Sequence, residues 1–364
     1  MGTLKAPNVL VLGTVLSQGK GGVWRHNKEL LPRVARLLAA AGGSLSILEG
    51  REACAFDLPP EVMRIPSKVP FRPAMRRAMA EGHALRELLA ERTAEGHPFD
   101  LVHTAHQPVP RGFDTPISLL IHDLRSLDLK HTPFSRRLFA REIIGHSAKR
   151  AALLMTVTEA MADNIAYNLE VERSKIQVIN NAGDHFLPIE RQAIPDAPLL
   201  CIGHLEPRKN QRLLIETLAS DTSLPDVNFL GSAKGNAQEE LMALASSLGV
   251  AERIHFLGAT SDEELCEQLS KTSCVVLPSL LEGFGISVLE AQRAAAPLAI
   301  SAIPAHKEVA PEAATFINEA ADCARAIHVA LGASQQELDD QKRLANQRYS
   351  WDRSAEQLFR AWSS

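Results

Sequence analysis

Two glutamates stand in the stretch LPSLLEGFGISVLEAQRAAAP with seven residues between them: Glu282, flanked by glycine, and Glu290, inside a run of helix formers. The preceding VVLPSL reads as a buried strand, which places Glu282 on the loop that leaves it. Gly283 and Gly285, on either side of Phe284, let the backbone approach a ligand closely. A helix starting near Ile286 or Ser287 then offers free N–H groups and a partial positive charge, a natural seat for phosphate. Neither carboxylate suits that phosphate, but an ionised carboxylate accepts two sugar hydroxyls at once. A second strand end, LLCIGHLEPRKNQRLL, closes with Gly203 and presents Arg208 and Lys209 just before a helix. A guanidinium fork beside a mobile ammonium can hold a diphosphate, although such a pair alone is equally an ordinary surface loop. Two polyols bridged by a diphosphate fit the whole set, and that describes a nucleotide sugar.

The elements around these residues alternate. In the first half, NVLVLGTVL, SLSILEG, LVHTAH, PISLLIHD, ALLMTVTE and KIQVIN are strand candidates, separated by helix patterns such as NKELLPRVARLLAAAG. The cycle restarts at APLLCIGHLE and runs through VNFLGSA, IHFLGA, CVVLPSL and PLAISA, each followed by a helix pattern. One helix start, SDEEL, carries a capping box of Ser261 and Glu264. Two such cycles predict an α/β chain of two parallel-sheet domains, with the junction in the proline-punctuated DHFLPIERQAIPDAP. The expected divisions are 1–190, 191–347 and a terminal helix over 348–364.

Length supports two domains, since 364 residues exceed the roughly 250–300 at which single cores stop growing. No apolar run is long enough to span a bilayer, and the N-terminus reads as a first strand, not a signal peptide. Five cysteines (54, 201, 266, 274 and 323) form no C-x-x-C pair, which argues against zinc and disulfide frameworks and for a reducing cytoplasm. Charge is uneven: residues 1–190 hold 24 Lys+Arg against 20 Asp+Glu, the remainder 15 against 23. The excess lies in RIPSKVPFRPAMRRAMAEGHALRELL, with Arg64, Lys68, Arg72, Arg76 and Arg77, and in SRRLFAREIIGHSAKR. These stretches are either solvated helix faces or contacts for anionic lipid headgroups or an anionic acceptor. Nucleic acid is disfavoured, because stacking aromatics are scarce and no recognition motif occurs. A dehydrogenase is disfavoured too, as no strand runs into a G-x-G-x-x-G helix start.

GHLEPRKNQRLLIETLA, the block RIHFLGATSDEELCEQLSKTSCVVLPSLLEGFGISVLEAQRAAAPLAIS and the terminal YSWDRSAEQLFRAWSS resemble the retaining GT-B glycosyltransferases of the GT4 family. So do GKGGVWRHNKEL, IHDL, VTEAMADNIAYNL and KIQVINNAGDHF in the first half. The resemblance implies two Rossmann-like domains facing across a cleft, with the last helix crossing back to the first domain. It also implies roles. Arg208 and Lys209 match the diphosphate-binding pair, Glu282 the contact to donor-sugar hydroxyls and Glu290 the residue that holds the ribose. Gly283, Phe284 and Gly285 match the loop under sugar and phosphate, His122 a histidine near the reacting carbon, and Gly21 with Gly22 a loop closing on phosphate or acceptor. Three positions depart from the pattern: Ala296 and Ala182 where glycine is usual, and Ser287 where proline is common. His103 and His106 end a strand and are either acceptor contacts or structural. Glu308 matches an acidic family position and is equally a surface residue.

The implied activity is retaining transfer of a sugar from a nucleotide-diphosphate donor to a hydroxyl of a glycan or lipid-linked acceptor. GDP-mannose is favoured, with UDP-glucose, UDP-galactose and UDP-linked acetamido sugars open. No cofactor and no metal are expected, since no Asp-x-Asp occurs and the histidines are scattered. The alternatives are a non-catalytic nucleotide-sugar-binding regulator and a same-fold epimerase or hydrolase.

Overall fold

The computed structural model describes residues 6–19, 21–128, 133–186, 189–192, 194, 196–310 and 315–364. They form two compact units: the residues up to Asn181 together with Trp351–Ser364, and Ala182–Ser350. The junction expected at 190 therefore falls inside the second unit. Asn180 and Asn181 belong to the first because their side chains are held there. Asn180 Nδ2 donates to Val157 O at 3.1 Å, and Asn181 Oδ1 lies 2.7 Å from His26 Nδ1. The terminal helix likewise begins at Trp351, since Tyr349 stacks edge-on against Phe284 of the second unit at 5.5 Å.

The first unit holds seven strands: β1 (Asn8–Leu12), β2 (Ser44–Leu48), β3 (Met63–Ile65), β4 (Leu101–Thr104), β5 (Ile117–Ile121), β6 (Leu153–Thr156) and β7 (Ile176–Val178). All pair in parallel, in the order β3-β2-β1-β4-β5-β6-β7. Its helices are α1 (Gly22–Ala40), α2 (Ala74–Ala94), α3 (Arg125–Asp128), α4 (Phe134–Arg150) and α5 (Glu159–Leu169). The second unit has β8 (Leu199–Ile202), β9 (Val227–Leu230), β10 (Ile254–Gly258), β11 (Val275–Leu277), β12 (Leu298–Ser301) and β13 (Thr315–Ile317). These are again all parallel, in the order β10-β9-β8-β11-β12-β13. They alternate with α6 (Gln211–Ser220), α7 (Ala237–Ser247), α8 (Asp262–Lys271), α9 (Ile286–Arg293), α10 (Pro304–Val309), α11 (Cys323–Leu331) and α12 (Gln335–Arg348). The last helix, α13 (Trp351–Trp362), is part of the first unit. Each sheet reverses its strand order beside its first strand, the switch point at which open α/β sheets bind ligands.

Buried strands explain the composition of these runs. β5 is buried throughout, as ISLLI, and β11 as VVL, because helices cover both faces of a parallel sheet. Three-residue β3 and β13 carry too little pattern to be seen in sequence, and β3 lies within the basic segment. Helix α1 begins at Gly22, earlier than the apolar period indicates. Its first turn, Gly22-Val23-Trp24-Arg25, lies ahead of the regular apolar period, and Gly21, at φ +86°, supplies a left-handed entry that other residues adopt at a cost. The capping box of Ser261 with Glu264 forms as expected, and Ser334 with Glu337 makes a second one at α12. Helix α13 packs on α1, where Arg33 Nε donates to Asp352 Oδ1 at 2.9 Å. Its Trp351 is wholly buried, and Trp362 Nε1 donates to Ser118 Oγ at 3.1 Å. Among the described residues, no helix is long and apolar enough to cross a membrane.

Candidate active site

The second unit gathers its charged residues at the carboxyl ends of β8 and β11. After β8, Gly203 takes φ +136°, and a Cβ there would meet Lys209 Cε at 2.9 Å, so the glycine clears the path of the lysine. Pro207–Lys209 forms one 3-10 turn, and Asn210, left-handed at φ +54°, turns the chain into α6. Leu280 N donates to Arg208 O at 2.8 Å, which locks this turn against the loop after β11. The same loop carries Glu282.

Glu282 is the centre of the cluster. Lys209 Nζ donates to its Oε1 at 2.6 Å, Arg208 Nη1 to its Oε2 at 2.9 Å, and Ser279 Oγ to Oε1 at 2.8 Å. Burial alone would raise this carboxyl, but Lys209 and Arg208 outweigh it and hold the pKa at about 2. Arg208 also lies 2.7 Å from Glu206, whose other oxygen accepts from Lys234 Nζ at 2.5 Å. Three cations and two carboxylates thus form one chain of contacts at the strand ends. His306 of α10 stands beside it. Its Nδ1 is 3.0 Å from Ser301 O, and burial pushes its pKa down to about 4, against the pull of Glu282.

Helix α9 opens at Gly285, whose φ of +96° and close approach to His306 Cδ2 (3.1 Å from a built Cβ) both require glycine. Glu290 lies one turn into that helix, buried, with Oε1 3.1 Å from Nε2 of His185. Phe284 is buried against Tyr349. Thus Gly203, Arg208, Lys209, Glu282, Gly283, Phe284, Gly285 and Glu290 all lie on the β8 and β11 loops or on the helix that follows. The departures noted in the sequence resolve locally. Ala296 is buried with an ordinary backbone, and the left-handed residue at this exit is Ala295, at φ +50°. Beside Ala182, Gly183 packs so tightly that a Cβ would come within 2.9 Å of Leu289 Cβ on α9.

The remaining candidates lie in the first unit. His122 directly follows β5, and its ring stands edge-on to that of His26 at 4.7 Å. Burial, then His26, His103 and Arg125, hold its pKa well below the usual value. His26, pushed down to about 4 by burial, is anchored through Asn181. Gly22 opens α1 with free space where a Cβ would be. His103 and His106 are interior residues. His103 Nδ1 is 3.0 Å from Ser118 Oγ, under Trp362, and His106 Nε2 is 2.9 Å from buried Glu81, which also accepts from Thr14. Arg77 is a correction to the basic segment. It is buried, donates to Phe71 O and Gln107 O at 3.2 and 2.8 Å, and offers no charge to an outside partner. Arg64 is engaged by Glu49 at 2.5 Å. Sequence reading passed over His26, His185, Lys234 and His306, and saw Glu206 only as a neighbour of the Arg208–Lys209 pair. The one signal for His306 was its place in IPAHKEV, beside the singled-out Glu308.

Two family descriptions divide the chain between them. Residues 20–185 match Glycosyltransferase Family 4, and residues 191–349 match Glycosyl transferases group 1. The chain belongs to the GT4 glycosyltransferases. This GT4 chain is 28% identical over 218 residues to the O-antigen chain mannosyltransferase RfbU of Salmonella typhimurium, with 60% of each covered. It therefore spans less than two thirds of that relative's length. It is 25% identical over 382 residues to the D-inositol 3-phosphate glycosyltransferase of Geodermatophilus obscurus, covering 91% of this chain and 83% of that one. Its fold is similar to that of sucrose-phosphate synthase from Thermosynechococcus elongatus, with a TM-score of 0.76, 15% identity and 97% of both chains covered. Two Rossmann-like units of this kind make the fold GT-B.

Proposed function

We propose that this glycosyltransferase moves a hexose, with retention of anomeric configuration, from a nucleotide-diphosphate sugar to a hydroxyl of a glycan or lipid-linked acceptor. The observation that carries it is the contact of Arg208 and Lys209 with Glu282 at the mouth of α9. Two cations and a helix start can take a diphosphate, while a carboxylate held ionised at about pKa 2 remains an acceptor for sugar hydroxyls at any physiological pH. Breaking the anomeric bond places negative charge on the leaving diphosphate. Arg208, Lys209 and the α9 amides would stabilise it as pre-placed charges and dipoles. Glu290 takes the ribose, and Gly283–Gly285 the backbone contacts to sugar and phosphate. Gly21, Gly22 and His122 serve the acceptor side and the reacting carbon.

GDP-mannose is the favoured donor, in keeping with the mannosyl activity of the Salmonella relative. Metal-free transfer is part of the proposal, with the three cations of the chain in the charge-stabilising role, and unchanged turnover in EDTA is its check. A cytoplasmic reaction is part of the proposal, and four buried, unbridged thiols (Cys54, Cys201, Cys274 and Cys323), which suit a reducing compartment, support it. A thermal-shift panel of GDP-, UDP- and ADP-sugars tests the donor class, since a ligand at ~100 times its dissociation constant adds about 2.7 kcal/mol. GDP-mannose should give the largest shift. Product analysis then tests the chemistry: acceptor-dependent transfer with the donor's anomeric configuration supports it. Free sugar or an epimerised donor in the absence of acceptor contradicts it.

A further inference from the structure

Near its start the second unit runs Gly183-Asp184-His185-Phe186, and this segment leans on α9, the helix that carries Glu290. A Cβ on Gly183 would come within 2.9 Å of Leu289 Cβ and 3.1 Å of Arg293 Cδ, so glycine alone brings the chain this near the helix. Asp184 then favours the charge of Arg293, which burial opposes. Leu289 and Arg293 stand on either side of Glu290 in the chain, and the next residue of the segment meets Glu290 itself. The His185 side chain is wholly buried, with Nε2 3.1 Å from Glu290 Oε1. The ring of Phe186 stands edge-on to the imidazole at 4.7 Å and restrains it.

The two carboxylates of the candidate site differ in what holds them. Glu282 accepts from Lys209, Arg208 and Ser279. Among the described residues, no side chain other than His185 forms an ion pair with Glu290, and none donates a hydrogen bond to it. Neither ring nitrogen of His185 has a hydrogen-bond partner there either, so Nε2 is close to Oε1 but off its line. Buried polar groups without partners are exceptional in folded proteins. An imidazole and a carboxylate, both buried, both short of partners and in contact, are accounted for by a ligand that completes them. A carboxylate has about four lone-pair sites, so one hydrogen from Nε2 leaves room for both hydroxyls of a ribose. With an acidic oxygen beside Nε2, the ring keeps its hydrogen on that nitrogen.

We propose that His185 is a positioning residue for ribose recognition. Its Nε2–H engages Glu290 Oε1 and fixes the turn of the carboxylate, so that the remaining lone pairs accept the 2′- and 3′-hydroxyls together. The site thereby selects ribonucleotides over 2′-deoxyribonucleotides. A site built around a hydroxyl penalises the analogue that lacks it, because the groups meant for that hydroxyl are left unpaired. The inference rests on the reading of Glu290 as the ribose contact. It adds a residue that touches no substrate and acts only through the carboxylate.

The test is calorimetric titration of GDP and UDP, each beside its 2′-deoxy form, into the full chain and its variants. Wild type should bind the ribose form of its preferred nucleotide at least about tenfold more tightly than the deoxy form. His185→Phe keeps a ring and loses the N–H; it should cut that preference to about threefold or less, with affinity for the deoxy form little changed. His185→Leu should do the same and replaces it if the phenylalanine lowers the melting temperature. His185→Gln, whose amide can donate from a similar place, should keep most of the preference, and Glu290→Ala should abolish it. Full preference in His185→Phe and His185→Leu, with loss in Glu290→Ala, would overturn the role of His185 and leave the ribose contact standing. Equal weakening of both nucleotide forms, or the same loss in His185→Gln, would reduce the imidazole to packing and overturn the role as well. Preference intact in Glu290→Ala, or absent in wild type, would instead remove the ribose contact and this inference with it.

Discussion

The two units present polar groups at their strand ends in opposite electrostatic states. In the second, Lys209, Arg208 and Lys234 alternate with Glu282 and Glu206, every member charged and matched within 2.9 Å. In the first, His26, His103 and His122 are pushed by burial well below their usual pKa, to about 4 and about 3 for the first two, and remain neutral. A cluster of matched ions can exchange a carboxylate for a phosphate at little electrostatic cost, because one anion replaces another. A cluster of neutral imidazoles offers hydrogen bonds and shape without attracting charge. The first unit thus holds a buried neutral cluster and the second a cluster of matched ions.

The largest effect that could break this contrast is on transfer. Lys209→Ala should lower turnover ~10²–10³-fold, the usual loss for one pre-placed charge-stabilising donor. Stability should change by only about 1 kcal/mol, since Arg208 and Ser279 still hold Glu282. Steady-state kinetics beside a melting curve would show both. Comparable losses of rate and stability would mean that the cluster is merely structural.

Acid separates the units next. A histidine kept neutral by burial binds its proton more weakly when folded, so stability is whole above about pH 6.5 and falls as pH drops toward the folded value. Glu282 loses stability in the same direction but in a lower window: its contribution is present above about pH 4.5 and is lost as pH falls toward 2. Between pH 6.5 and 5 His26 and His103 should therefore each remove about 1–2 kcal/mol, while Glu282 removes almost none. The first unit, with three wholly buried histidines, should open before the second, with His306 and the half-buried His204, as read by amide exchange resolved along the chain. Simultaneous opening of both would contradict the assignment.

Backbone predictions sharpen the comparison on a smaller scale. Gly203→Ala must hold φ +136° and push against Lys209, so it should cost about 2 kcal/mol and lower turnover about tenfold. Arginine at position 209 should not restore the rate in that variant, because the obstruction lies in the path of the side chain. Ala295→Gly is the smallest effect. It relieves a left-handed alanine at φ +50° and should stabilise the second unit by up to ~1 kcal/mol without altering transfer, as read by melting.

Much of the second unit was legible because its chemistry is local. Arg208 and Lys209 share one turn, and Glu282, Gly285 and Glu290 fall on one loop and helix start, so spacing alone places them. Glu282's partners were less visible, since Lys209 lies 73 positions away and spacing cannot report that the cations and the carboxylate neutralise one another. The first unit was harder to read. His26, His103 and His122 come from three separate elements, and a buried neutral histidine leaves no pattern in a sequence. Arg77 was misjudged for a related reason: a basic run looks the same whether its members point outward or, like Arg77, bind carbonyl oxygens inside. Strands β3 and β13, of three residues each, owe their existence to neighbours that they pair with, not to any periodicity of their own.

The most direct test of the exchange between carboxylate and phosphate is calorimetric titration of GDP and UDP into the wild-type chain, Lys209→Ala and Glu282→Gln. Wild type should bind at least one nucleoside diphosphate, Lys209→Ala should bind it at least tenfold more weakly, and Glu282→Gln should bind it as tightly or more tightly. Unchanged affinity in Lys209→Ala, or affinity lost only in Glu282→Gln, would contradict a diphosphate seat built from Arg208, Lys209 and the start of α9.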